Sequence, residues 1–138
     1  MVVIGVTGTK GKTTITNLVA SGLQGTGKKV VMLSTASIMM DGVVTMNTKK
    51  MTSLDPFDMW KILNRAKKEG CNYVVIETSS HALFYNRVYG LRYDVAVLSN
   101  ISQDHLDLHH TMENYVDTKL SLFRNLYKYG IRRDIRKV

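Results

Sequence analysis

Cysteine, proline and tryptophan occur once each in these 138 residues. The lone cysteine, Cys71, excludes an internal disulfide and fits a cytoplasmic setting. It follows Gly70 and precedes an apolar run, the place of a small buried hydrophobe. No apolar run approaches membrane-spanning length, so no membrane partner is expected. The N-terminus lacks the basic-then-apolar pattern of a secretory leader and enters an apolar strand at once. Internal repeats and low-complexity segments are absent too. What remains is a chain of 44% hydrophobic residues, expected as one domain with a real core.

The net charge is +8. Much of it sits in residues 124–138, where Arg124, Lys128, Arg132, Arg133, Arg136 and Lys137 face only Asp134, leaving +3 for residues 1–123. A basic end is more often solvated than a binding surface, so nucleic acid is not an expected partner. A modest positive field still suits anionic nucleotides.

One stretch organises the chain: Gly5-Val6-Thr7-Gly8-Thr9-Lys10-Gly11-Lys12-Thr13-Thr14. The apolar run Val2–Val6 leads in and a helical pattern leads out. Strand, glycine-rich turn, Gly-Lys-Thr and helix make the layout of a phosphate-binding loop. Glycines let the backbone turn its N–H groups toward an anion, and the helix N-terminus adds a favourable dipole. Gly8, Thr9, Lys10, Gly11, Lys12, Thr13 and Thr14 are the expected nucleotide-binding residues. Lys12 would reach the β- and γ-phosphates, and the Thr13 hydroxyl would ligate Mg²⁺. Position 6 holds Val6 where the strict spacing wants glycine. An ordinary glycine-rich strand-to-helix turn is the plain alternative.

The helix leaving the loop carries Ile15, Leu18, Val19 and Gly22 on one expected inward face and ends at Gly25–Gly27. Lys29–Leu33 reads as a second strand. Ser37–Met46 reads as a hairpin about Asp41-Gly42, and Thr48–Leu54 as a polar connection. A helix follows with Asp55 as its cap, Pro56 at its first position, Asp58 in its first turn and Gly70 beyond its end. Its inward face is Met59, Leu63 and Ala66. Tyr73–Ile76 and Asp94–Leu98 are two further strands, and a last helix spans about Met112–Tyr127. Alternating strands and helices with Val/Ile-rich strands predict an α/β, P-loop-type three-layer fold, with a mostly parallel sheet covered on both faces. Ligands of such sheets bind at the carboxyl ends of the strands.

Chemistry-bearing residues fall at those ends. Glu77 closes the third strand, where a carboxylate can hold Mg²⁺ beside a phosphate loop; capping a helix or pairing with lysine is its plainer use. Ser79, Ser80 and His81 follow, but without the Gly-x-Ser-x-Gly elbow of a hydrolase. Asn100 ends the fourth strand. Asp104-His105-Leu106-Asp107-Leu108-His109-His110 is rich in metal-ligand types without zinc-site spacing. His105 is expected at a second divalent cation, whereas His109 and His110 read as loop solvation or helix N-terminal contacts. Lys119 shares the stripe Met112, Tyr115, Val116, Phe123 and Leu126. It either snorkels outward or is buried, which lowers its pKa and makes a reactive amine. Spacing leaves both open.

Together these segments resemble the central, ATP-binding domain of the Mur ligases, which build the peptide of peptidoglycan. Most similar is the member adding the third residue, diaminopimelate or lysine, to UDP-N-acetylmuramoyl-L-alanyl-D-glutamate. The likeness lies in Gly5–Thr14, Glu77-Thr78-Ser79-Ser80-His81-Ala82-Leu83 with Arg87-Val88, Asp94–Val97, Asn100-Ile101-Ser102, Asp104–Asp107, and Thr111–Tyr115 through Lys119 and Phe123. The family joins an amine to a carboxylate through an acyl phosphate. The resemblance implies ATP and Mg²⁺, with Lys12, Lys119 and His105 as catalytic residues and Asn100 beside the nucleotide. Metal ligands would be Thr13, Glu77, His105 and Lys119 as a carbamate. Thr52, Ser53, Ser79 and Arg87 would contact the UDP-N-acetylmuramoyl-peptide. The sequence departs from the family at Lys10, usually asparagine, at Ser53-Leu54, usually threonine-proline, and at Tyr85, usually glutamine.

The resemblance also implies that residues 1–138 are one partial central domain, incomplete relative to the family's. The uridine-binding N-terminal and amino-acid-binding C-terminal domains would lie outside it, and self-association would follow from an uncovered sheet. The alternatives are a non-catalytic nucleotide-binding or self-associating remnant, or a related folylpolyglutamate- or cyanophycin-type amide ligase. Ser-Ser-His-Ala-Leu argues against the last.

Overall fold

The computed structural model describes residues 1–40, 42–48, 54–103 and 106–128. Among the described residues six strands and five helices follow one another as β1 (Val2–Thr7), α1 (Lys12–Gly25), β2 (Val30–Leu33), β3 (Ser37–Met40), β4 (Val43–Met46), α2 (Pro56–Lys68), β5 (Tyr73–Glu77), α3 (Ser80–Phe84), β6 (Val95–Leu98), α4 (Leu106–His109) and α5 (Met112–Lys128). The strands form one sheet in the order β4-β3-β2-β5-β1-β6. β2, β5, β1 and β6 run parallel, while β3 and β4 add an antiparallel hairpin at one edge. Asp41 of the expected turn lies outside the described residues; Gly42 beside it has φ 79°, the left-handed conformation a tight hairpin turn demands.

Helices cover both faces, giving three layers. On one face Ile4, Val6, Val30, Met32 and Val75 pack with Ala20, Ile15, Val19 and Leu23 of α1. On the other, Val3, Val31, Leu33, Val74 and Ile76 meet Met59, Leu63 and Ala66 of α2 and Leu122, Phe123 and Leu126 of α5. The central strands are buried on both sides, the reason they read as unbroken apolar runs. The hairpin strand β4 is exposed along its whole length.

The inward face of α1 differs in part from the sequence reading. Leu18 is 66% exposed, whereas Thr16 and Ala20 are buried, and a Cβ on Gly22 would meet open space. Ile15 and Val19 of the expected face do pack on the sheet, with Thr16 and Ala20 beside them, while Leu18 and Gly22 turn to solvent. Small residues allow a close approach, and the Thr16 hydroxyl is satisfied by the Lys12 carbonyl at 2.8 Å, which removes the cost of burying it. α2 follows the reading throughout: Asp55 accepts from the Phe57 N–H at 2.9 Å and Pro56 opens the helix. At its end Gly70 has φ 72°, and the Cys71 N–H returns to the Ala66 carbonyl at 3.0 Å, closing the helix in a left-handed turn.

Beneath the carboxyl end of the sheet, the Tyr93 hydroxyl bonds Thr78 Oγ1 at 3.0 Å. Burial pushes the Tyr93 hydroxyl well above the ordinary tyrosine range, against a smaller lowering by Thr78. The Tyr93 ring lies against Gly5, where an added Cβ would stand 2.7 Å from it and 3.2 Å from Leu122. Replacing Gly5 by alanine should therefore cost about 1–3 kcal/mol, the usual penalty of overpacking a core. Gly22→Ala, with space around it in the helix interior, should instead stabilise by roughly 0.5–1 kcal/mol. Urea unfolding of the two variants checks both signs.

Candidate functional site

The carboxyl ends of β1, β5, β6 and β2 converge on the loop Gly8–Gly11, which joins β1 to α1. Gly11 holds φ 78° and precedes the helix with no side-chain cap. The first intrahelical bond runs from the Ile15 N–H to the Gly11 carbonyl at 2.9 Å. The N–H groups of Gly11, Lys12, Thr13 and Thr14 therefore have no acceptor within the helix. Their dipoles add to a partial positive charge at the mouth of the loop, the arrangement that receives phosphate oxygens. Lys12 lies within this turn and donates to the Thr9 carbonyl at 2.8 Å.

The loop is fastened from behind. Lys119, 1% exposed, reaches from α5 and donates to the Gly8 carbonyl at 2.7 Å. Its ammonium also stands 4.5 Å from the centre of the Tyr115 ring, a cation–π contact. Of the two readings left open for Lys119, the structure selects burial. The Thr9 hydroxyl contacts the Ser102 carbonyl at 3.1 Å and the Tyr115 hydroxyl at 3.0 Å, and accepts from the Ser102 N–H at 3.0 Å. At the end of β6, the Asn100 carbonyl accepts from the Thr9 N–H at 2.9 Å, and the Asn100 side chain meets the Lys10 backbone.

Glu77 ends β5 in the cleft between α1 and the end of β2. It is 2% exposed and takes the Thr13 hydroxyl at 3.0 Å and the Thr35 N–H at 2.8 Å on one oxygen. A carboxylate and a hydroxyl so joined are hard oxygen donors beside the helix N–H groups. That set suits Mg²⁺, which takes few protein ligands and completes its shell with phosphate oxygens and water. Among the described residues no group of three His, Cys, Asp or Glu could hold a metal by itself. His105, expected at a second cation, lies outside the described residues.

Farther along the sheet end, Ser79 caps α3 by accepting from the Ala82 N–H at 3.1 Å. The helix closes through Asn86, at φ 53°, and through the Arg87 N–H bonded to the Ala82 carbonyl at 2.9 Å. This turn brings the half-buried Arg87 back over the Tyr85 ring, 5.7 Å from its centre. The departure from glutamine at Tyr85 thus stacks beside a residue expected to meet an anionic substrate. Thr52 and Ser53, the other expected substrate contacts, lie outside the described residues.

Of the two readings of His109, loop solvation fails and helix N-terminal contact holds: its carbonyl takes the Asn114 side chain at 3.1 Å at the start of α5. His109 is buried, with ring centres of Tyr115 and Phe84 at 5.3 and 5.5 Å, so α3, α4 and α5 meet on it. Two contributors, Thr35 and Ser99, carry no sequence signal of their own, and a third, Tyr115, carries only part of one. Thr35 supplies a main-chain N–H and has only its place after a strand end to signal it. The Ser99 hydroxyl donates to the Lys10 carbonyl at 2.7 Å. Tyr115 was legible as an apolar stripe residue, but its hydroxyl is what holds Thr9.

A mostly parallel sheet with a glycine-rich loop entering an uncapped helix puts the chain among P-loop-type three-layer α/β proteins. The model of the Mur ligase middle domain matches residues 6–133, and the chain belongs to that family. It is 44% identical over 124 residues to the UDP-N-acetylmuramoyl-L-alanyl-D-glutamate–2,6-diaminopimelate ligase of Corynebacterium efficiens, covering 90% of this chain and 23% of that protein. The enzyme of the same name from Pseudomonas putida is 42% identical over 120 residues, covering 87% of this chain and 24% of that protein. A solved structure of a ligase of this name superposes with a TM-score of 0.78 at 34% identity, covering 89% of this chain and 24% of that one. The chain thus spans about a quarter of the length of these relatives. Among the described residues no helix is long and apolar enough to cross a membrane.

Proposed function

We propose that these residues form the ATP-binding module of a ligase that adds the third peptide residue, diaminopimelate by the names of its relatives, to UDP-N-acetylmuramoyl-dipeptide in peptidoglycan synthesis. The carrying observation is the pairing of open N–H groups at the start of α1 with Glu77 on Thr13. In this reading the α1 N-terminus and Lys12 bind the β- and γ-phosphates. For that, the Lys12 ammonium leaves the Thr9 carbonyl and takes a phosphate oxygen, a stronger charge-assisted bond. Mg²⁺, when bound, would neutralise phosphate charge and polarise the γ-phosphoryl group; Thr13 and Glu77 would hold it, with His105 at a second ion. A substrate carboxylate oxygen then attacks the γ-phosphorus and ADP leaves. The incoming amine attacks the acyl carbon, phosphate leaves and the amine loses a proton. Thr52, Ser53, Ser79 and Arg87 would orient the UDP-N-acetylmuramoyl-peptide.

Isothermal titration with Mg–ATP tests the nucleotide site. Lys12→Ala should lose most of the affinity, and unchanged binding would sink the assignment. The relatives are about four times longer, and in this reading the uridine- and amino-acid-binding domains would belong to that further length. A polypeptide of these 138 residues is therefore proposed to hold nucleotide without completing the ligation, since closure of several domains assembles such sites.

Lys119 is proposed to carry a carbamate. An ordinary lysine, with a pKa of about 10.4, is protonated at neutral pH, and only the neutral amine attacks CO₂, forming an N–C bond and releasing a proton. Its enclosure at 1% exposure supports the reading. Labelled bicarbonate with Mg²⁺ and nucleotide should give a ¹³C carbamate resonance in the parent and none in Lys119→Ala. A signal persisting in the variant would assign it elsewhere.

The same module is proposed to self-associate. β6 ends the sheet with Val95 and Leu98 each 37% exposed, and among the described residues no strand covers its outer edge. Unpaired strand edges recruit further strands. Light scattering should report mass above the monomer as concentration rises; a constant 15.6 kDa would exclude it.

A further inference from the structure

The Asn100 side chain is a primary amide, with one acceptor and one donor set side by side. Its Oδ1 accepts from the Lys10 N–H at 3.0 Å and its Nδ2 donates to the Lys10 carbonyl at 2.9 Å. It thus meets both polar groups of one residue, as a neighbouring antiparallel strand would. The Ser99 hydroxyl donates to the same carbonyl at 2.7 Å. The Asn100 backbone carbonyl takes the Thr9 N–H at 2.9 Å. Thr9 and Lys10 therefore spend their N–H groups on Asn100, and the N–H groups still open for an anion begin at Gly11.

The fit leaves no slack. Gly8 has φ 144°, and a Cβ there would fall 1.9 Å from Ser99 Oγ and 3.0 Å from the Asn100 carbonyl. Gly8 thus lies hard against the end of β6. Gly11, by contrast, has nothing within 4 Å of an added Cβ; only its left-handed φ of 78° requires glycine. The Lys10 backbone is the piece between the packed end and the free turn. Holding it determines how that turn delivers the open N–H groups of α1.

We infer that Asn100 is a positioning residue: it serves the phosphates through the Lys10 backbone, with Ser99 as its second hand, and supplies no contact to the nucleoside. This rests on the phosphate-loop reading of the site. The discriminating probe is inorganic tripolyphosphate, which has the phosphates of ATP and no adenosine. At constant ionic strength, Asn100→Ala should weaken Mg–ATP and Mg–tripolyphosphate by the same factor, about tenfold, the worth of one or two hydrogen bonds. Ser99→Ala, which removes one bond to the Lys10 carbonyl, should give a smaller loss, again equal for the two ligands. Asn100→Asp keeps the acceptor but sets a carboxylate against the Lys10 carbonyl, so it should not restore binding.

A loss confined to ATP would overturn the inference and make Asn100 a nucleoside contact; so would unchanged affinity for both ligands. Amide hydrogen exchange on the ligand-free chain decides the clamp independently. The Lys10 N–H should exchange faster in Asn100→Ala, while core amides such as Val75 keep the parent rate. An unchanged Lys10 rate overturns the clamp, and changed core rates would mark a general loss of fold, leaving Ser99→Ala to decide. A parent that binds neither ligand would overturn the nucleotide reading, and the exchange rates would still judge the clamp.

Discussion

A loop that turns N–H groups toward a ligand must turn other polar groups the opposite way, into protein. Here the Gly8 carbonyl points at buried Lys119, the Thr9 hydroxyl sits between Ser102 and Tyr115, and the Lys10 backbone lies on Asn100. Each of these groups would cost free energy if left without a partner. Satisfying them ties β1, the end of β6 and helix α5 into one support. The open face at the start of α1 is the front of that arrangement.

The same constraint explains the position of α5. It packs Leu122 into the core on one turn and presents Lys119 and Tyr115 to the loop on the preceding ones. A helix that did only the first would tolerate an apolar residue at 119. The close approach of Tyr93 to Gly5 and its bond to Thr78 brace the other side, beneath the strand that ends in Glu77. Glu77 then faces α1 across the sheet, where Thr13 and Thr35 settle its charge. The loop before α1 and the Glu77 carboxylate thus share one floor.

The family membership and the geometry bear on different questions. Membership rests on agreement along nearly the whole chain. The geometry concerns which atoms are spent on holding the loop and which are left for a ligand. Asn100 illustrates the difference, since a polar residue beside a phosphate loop reads equally well as a ligand contact until its amide is seen engaged at both ends by Lys10.

Local chemistry made much of this protein legible from residues alone. Asp55, Pro56 and Gly70 marked α2 because capping and left-handed turns are local demands. The glycine-rich turn from β1 into α1 was legible because Gly-Lys-Thr at a strand-to-helix junction is a local arrangement too. The parallel sheet followed from apolar strands buried on both faces. What spacing could not decide was which way α1 turned or whether Lys119 was buried. Thr16 and Ala20 join Ile15 and Val19 on the sheet side while Leu18 faces solvent, and only the partner surface reveals that rotation. Lys119 can be buried because a carbonyl 111 residues away in sequence accepts a hydrogen bond from its ammonium. The sequence by itself determined most of the elements and the place of the glycine-rich turn; the tertiary structure decided which polar atoms meet, since those partners lie on strands and helices far apart along the chain.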